Sequence, residues 1–122
     1  MAAELQAVFE VLVPILSPCA RHLALSREYS YDTSTHYALW EDAPGTTTMF
    51  GAVVMKRRKV SFYLYALALY RDLRGSIGKP LLPRFVPRGS FFDFDRIDPP
   101  ALAALGDLVE VSLERWLLER SR

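Results

Sequence analysis

Cys19 and His22 stand three residues apart near the start of the chain. A thiol beside an imidazolium titrates low and becomes a nucleophile or a soft metal ligand. Two ligands do not complete a zinc site, so a buried cysteine and an exposed histidine are the plainer expectation. His36 lies close to Trp40 and Glu41, and imidazole is the side chain best poised for general-base work near neutral pH. No nucleophile accompanies it, and a polar residue on the solvent face of a strand explains it as simply. Asp93 and Asp95 share a face if their segment is extended, as an acid–base pair requires. They suit equally the end of a strand and the preparation of a helix cap.

The basic run Lys56-Arg57-Arg58-Lys59 has the chemistry to hold phosphate, or to sit in water at a hairpin tip. Arg84 and Arg88 extend that patch if the middle of the chain folds over it. Tyr63 and Tyr65 then supply stacking surfaces beside the cations. Phe50, Phe62, Phe91, Phe92 and Phe94 read first as packing residues. The alternative is an apolar pocket between sheet and helices. The candidate ligand-binding set is therefore Tyr63, Tyr65, Arg84, Arg88 and Phe91. No catalytic residue, metal ligand or cofactor is assigned. Gly89-Ser90 lacks the glycine spacing and following helix of a phosphate loop.

The elements that must position these residues follow from periodicity. Leu5, Phe9, Leu12, Val13 and Leu16 recur at helical spacing, and Pro14 either ends or kinks that helix. Five strands are expected: His22 to Tyr31, Thr35 to Glu41, Thr47 to Lys56, Lys59 to Tyr65, and Ser90 to Asp95. Pro44-Gly45 marks a turn. On the second strand Tyr37 and Leu39 point one way, and His36, Ala38 and Trp40 the other. On the third, Phe50, Ala52 and Val54 share a face. On the fourth, Val60, Phe62 and Leu64 face inward, with Ser61, Tyr63 and Tyr65 outward. Ala66 to Leu73 starts a helix that Gly75 and Gly78 break, and Lys79 to Val86 forms a short helix between prolines.

The last helix has the clearest signals. Asp98 is a good N-cap and Pro99 suits the first helical position. Leu102, Leu105, Val109, Leu113 and Trp116 form its apolar stripe. Arg115, Arg120 and Arg122 gather near its end, favourably for the helix dipole. The expected class is α+β, a mainly antiparallel sheet of about five strands with the terminal helices packed on one face.

Composition bounds the function classes. The chain has 122 residues, suited to one domain spanning 1–122. It carries 15 basic and 14 acidic residues, a net charge of +1, which argues against a general nucleic-acid binder. A single cysteine forbids an intrachain disulfide and fits a reducing compartment. No signal-peptide pattern opens the chain and no apolar run is long enough to span a membrane, so a cytoplasmic location is expected.

Val60-Ser61-Phe62-Tyr63-Leu64, a helical insertion, Gly89-Ser90-Phe91-Phe92-Asp93-Phe94 and a terminal amphipathic helix together resemble small bacterial YdhG-like domains of unknown function. The resemblance covers roughly residues 47 to 119. It implies a non-enzymatic small-ligand-binding or accessory domain. One branch of that group is regarded as frataxin-like iron chaperones, so an intracellular metal chaperone is the alternative it implies. A third reading is a homodimeric interaction module, motivated by Tyr37, Tyr63 and Tyr65 on an outer sheet face. The partner is thus a small molecule or a protein, a second copy included.

Overall fold

A computed structural model describes residues 2–120. Helix α1 (Ala2–Leu16) leads into a 3-10 segment (Ser17–His22). Six strands follow: β1 (Tyr31–Asp32), β2 (His36–Ala43), β3 (Thr46–Met55), β4 (Val60–Leu64), β5 (Phe85–Val86) and β6 (Phe91–Phe94). Between β4 and β5 run a short helix α2 (Ala66–Leu69) and two 3-10 segments, Arg71–Ser76 and Leu82–Arg84. Helix α3 (Pro99–Arg120) comes last. The strands form one antiparallel sheet in the order β1-β2-β3-β4-β6-β5. The expected class is therefore met, with six strands in place of five. Arg122 lies outside the described residues. Among those residues no helix is long and apolar enough to cross a membrane.

The helices and the sheet bury one apolar cluster. Val8, Phe9, Leu12 and Leu16 of α1 and Leu105, Leu108, Val109 and Trp116 of α3 meet Val60, Phe62 and Leu64 of β4 and Phe92 and Phe94 of β6. Alternation along β4 and β6 places these residues as the sequence indicates. Pro14 neither ends nor shortens α1. It is exposed, so the carbonyl left without its N–H partner, that of Glu10, is also on the water side.

Three expectations need correction. The segment His22 to Tyr31 does not form a strand. Leu25 makes a single bridge to Glu41, the chain then turns, and only the last residue of the segment, Tyr31, enters a strand, β1. The Ser26 hydroxyl accepts a hydrogen bond from the Tyr29 amide, and the Ser30 amide donates to the Ser26 carbonyl. Serine thus supplies the backbone with a turn in place of a ladder. Lys79 to Val86 is not a helix. Its last two residues pair with β6 as β5, and only Leu82–Arg84 is coiled, as a 3-10 turn. Phe50 does not share a face with Ala52 and Val54. The β2–β3 register shifts between Leu39 and Trp40, where Leu39 pairs with Gly51 and Trp40 with Met49. That bulge leaves Phe50 unpaired and turns it toward the helices, edge-on to Trp116 with ring centroids 5.2 Å apart.

Tyr37 belongs to the buried cluster together with Leu39. It is not part of an outer aromatic face, which removes one of the three tyrosines behind the dimer expectation. Ser61 points outward, as its place in the alternation indicates, and is fully buried. It donates to Asp93 Oδ1 at 2.6 Å.

Helix α3 starts as its sequence dictates. Asp98 Oδ1 accepts from the Ala101 amide at 3.5 Å, the N-cap geometry. Its buried stripe is centred one position away from the expected one. Leu108 and Ser112 are buried, while Leu102 and Leu113 only flank the cluster. The Ser112 hydroxyl has no hydrogen-bond partner. A buried donor without a partner costs about 1–3 kcal/mol. Ser112→Ala is therefore expected to stabilise the fold by about 1 kcal/mol, since alanine is also the better helix former. Urea unfolding of the two proteins measures this, and a destabilised alanine variant would show that the hydroxyl has a partner in solution.

Candidate functional site

The face of the sheet opposite α1 and α3 carries two cross-strand rows. Ala38, Ala52, Tyr63 and Phe91 pair in sequence across β2, β3, β4 and β6, and His36, Val54, Ser61 and Asp93 form the neighbouring row. The rings of Tyr63 and Phe91 contact at a centroid distance of 4.8 Å. Lys56 folds back over them, with Nζ 2.8 Å from the Tyr63 hydroxyl and 4.6 Å from the Phe91 ring centre. Lys59 and Ser61 both bond to Asp93, so that carboxylate does not pair with Asp95. Asp95 instead lies near Arg84 and Arg96. Tyr63 and Phe91 are thus together, as the sequence suggests, but one cation already covers them.

Arg84 is not free to bind a ligand. Its guanidinium donates to Asp98 Oδ2 at 2.9 and 3.3 Å and to the Asp93 carbonyl at 3.2 Å. It also stacks 4.8 Å from the centre of the Phe94 ring. The side chain is 11% exposed. This is a clamp that joins the β5–β6 edge to the first turn of α3. The Arg84 hydrogen bonds hold the Asp98 carboxyl below its ordinary range. Tyr65 precedes α2 and is exposed, apart from the Tyr63–Phe91 pair in that it has no ring partner.

Cys19 is buried, and loss of solvation pushes its thiol up to about 11, the opposite of an activated nucleophile. Among the described residues no group of three or more His, Cys, Asp or Glu converges as metal ligands would. Glu41 is buried on the helix side. It accepts from Trp116 Nε1 at 2.8 Å, from the Ala24 amide at 2.9 Å, and from Arg120. The small cleft beside it, about 190 Å³, thus meets a carboxylate whose lone pairs are already engaged.

Three of the clefts each gather three lysine or arginine side chains. At the β3–β4 tip, Lys56, Arg57 and Arg58 share a cleft with Glu4 and Asp95. At the sheet edge, Arg58, Lys59 and Arg84 share one with Asp93 and Asp95. The third, about 370 Å³, is lined by Ala68, Arg71, Arg74, Pro87, Arg88 and Ser90, and has no carboxylate in its wall. Arg88 therefore does not extend the hairpin-tip patch with Arg84, as the sequence suggests. It joins two arginines that sequence reasoning passed over.

Local structure explains the convergence. In a 3-10 helix residues i and i+3 lie one above the other, so Arg71 and Arg74 present to the same side. Leu73 is buried and anchors the segment, while Asp72 turns away to Arg115 at 2.8 Å. Arg74 is fixed. Its Nε donates to the Leu67 carbonyl at 3.1 Å and its Nη2 to the Pro87 carbonyl at 3.2 Å and the Ser90 hydroxyl at 3.5 Å. Its guanidinium lies 5.4 Å from the centre of the Phe85 ring. Arg88 and Ser90 come from the loop between β5 and β6. Ser90 is buried with a φ of 54°, a left-handed conformation that non-glycine residues adopt at about 1–2 kcal/mol and that recurs at functional sites. No carboxylate among the described residues lies within ion-pair distance of Arg71, Arg74 or Arg88.

The signal for this cleft was the R-x-x-R spacing of Arg71 and Arg74, which falls on one side only once the coil is known. Comparison with family models, curated proteins and solved structures finds no match.

Proposed function

We propose that this domain binds a small anionic molecule in the cleft of Arg71, Arg74 and Arg88, as a binding or accessory domain. The supporting observation is three guanidiniums around one cleft with no carboxylate in its wall. Guanidinium forks match the oxygens of carboxylates and phosphates, and they stay charged at every physiological pH. Like charges gathered without a counter-charge repel one another, and a bound anion relieves that repulsion. The cleft is within the size range of small-molecule sites. Tyr63 and Phe91 lie next along the chain and sheet, since Ser90 precedes Phe91 and Phe91 pairs with Tyr63. Lys56 covers that pair, and the pair lies beside the cleft and not in its wall.

Calorimetric titration with sodium sulfate and with inorganic phosphate tests the reading. Each arginine contact to an anion contributes about 1.5–3 kcal/mol. Arg71→Ala and Arg88→Ala are thus each expected to weaken binding by about tenfold or more. Neither side chain has an ion pair to lose, so the unliganded variants should melt with the parent protein. Unchanged affinity in the Arg71→Ala, Arg88→Ala double variant would place the anion elsewhere.

A further inference from the structure

Resting on that reading, we infer that the cleft selects a dianionic phosphoryl group, the terminal phosphate of a monoester, over carboxylates and over phosphodiesters.

The argument is one of donors and charge. Arg74 has three of its contacts fixed by Leu67, Pro87 and Ser90, through Nε and Nη2. That leaves Nη1 as its free edge, held in place before any ligand arrives. Among the described residues the side chains of Arg71 and Arg88 have no bonding partner and keep their whole forks. The cleft thus offers two complete forks and one fixed edge. A carboxylate is planar with two oxygens and meets two forks in its plane. A phosphodiester also has only two non-bridging oxygens and one negative charge. A phosphate monoester has three terminal oxygens in a tetrahedral arrangement and carries close to two charges at neutral pH. It alone of the three gives each guanidinium an oxygen.

The charge argument predicts a pH dependence whose origin is the ligand. The groups facing the cleft are Arg71 and Arg74 from the 3-10 segment, Arg88 and Ser90 from the β5–β6 loop, with Ala68 and Pro87. No histidine, cysteine or carboxylate is among them. Asp72, next along the chain, is committed to Arg115 on the other side of the segment. A monoester loses its second proton with a pKa of about 6, so its dianion grows roughly tenfold in population from pH 5 to pH 7.5.

The experiment is a calorimetric titration at pH 5.0 and pH 7.5, at fixed ionic strength, with methyl phosphate, dimethyl phosphate, acetate and sulfate. Sulfate is a dianion at both pH values and reports any change in the protein itself. The expected result is a roughly tenfold gain for methyl phosphate at the higher pH, no change for sulfate, and at least tenfold weaker binding of acetate and dimethyl phosphate. Arg71→Ala should reduce methyl phosphate and sulfate affinity together. If methyl phosphate binding does not change with pH, or if acetate or dimethyl phosphate binds as tightly, the dianion inference is overturned while the anion cleft stands. If none of the four binds, the cleft reading itself fails.

Discussion

Glu41→Ala is expected to lower the unfolding free energy by about 2–4 kcal/mol, the cost of one buried donor left without an acceptor together with the other hydrogen bonds lost. Glu41 is 4% exposed and serves three donors, two on α3 and one on the segment beside β2. The Trp116 indole belongs to α3, the Ala24 amide to the segment beside β2, and Arg120 to the end of α3. Without the carboxylate the indole N–H is left buried and unpaired, at about 1–3 kcal/mol, and the Ala24 N–H loses its acceptor. Arg120 is 41% exposed and can turn to water. Arg120→Ala leaves the buried carboxylate its two N–H donors and should cost less than Glu41→Ala, about 1–2 kcal/mol. Glu41→Gln keeps an acceptor for Trp116 and should fall between the two. Urea unfolding followed by tryptophan fluorescence gives all three values. Equal costs for Glu41→Ala and Arg120→Ala would mean that the ion pair alone matters and the indole bond does not.

Gly51→Val is expected to cost about 3 kcal/mol or more, at the upper end of what overpacking does. A Cβ at position 51 would sit 2.9 Å from Leu16 Cδ1 and 2.9 Å from the Tyr63 carbonyl oxygen. The leucine tip can move, but a carbonyl in a paired strand cannot move without disturbing the β3–β4 ladder. Gly51 stands next to the Phe50 bulge, where α1 comes closest to the sheet. Gly51→Ala should already destabilise, and adding Leu16→Ala should not restore stability, because the carbonyl contact remains. Full rescue by Leu16→Ala would show that only the side-chain clash counts. Hydrogen exchange of the β3 and β4 amides would locate the damage.

The parts of the fold that local chemistry decides were legible. Asp98-Pro99 names the start of α3, and the alternation of Val60, Phe62 and Leu64 against Tyr63 names the faces of β4. What the sequence hides is set by contacts between distant residues or by a change of parity. The bulge adds one residue to β3 without any mark in composition, so Phe50 appears on the wrong face. Ser26 has an ordinary β-compatible neighbourhood, yet its hydroxyl organises a turn. Arg84 looks like a free cation until Asp98 is brought against it. Of the five candidate site residues, Tyr63 and Phe91 meet, Arg88 lines the arginine cleft, Tyr65 stands apart and Arg84 is a clamp. The cleft needs both the coil of residues 71–76 and the β5–β6 loop, and neither part carries the charge pattern alone.

The lengths of the border strands bear on how this protein behaves at high concentration. A sheet edge with free N–H and C=O groups is a template on which another chain can add, and long flat edges grow into aggregates. Here β1 and β5 each contribute only two residues. The outer side of β2 beyond β1 is shielded by its own chain, with the Ser26 amide on the Trp40 carbonyl and the Asp42 amide on the Ala24 carbonyl. On the other border, β5 is followed at once by Pro87, which has no N–H to offer. An incoming strand therefore finds at most two rungs on either side before it meets a turn or a proline. The long strand β3 lies inside the sheet, paired with β2 along nearly its whole length and with β4 over Gly51 to Met55, so the capacity of that apolar half to nucleate fibres is out of reach unless the sheet opens.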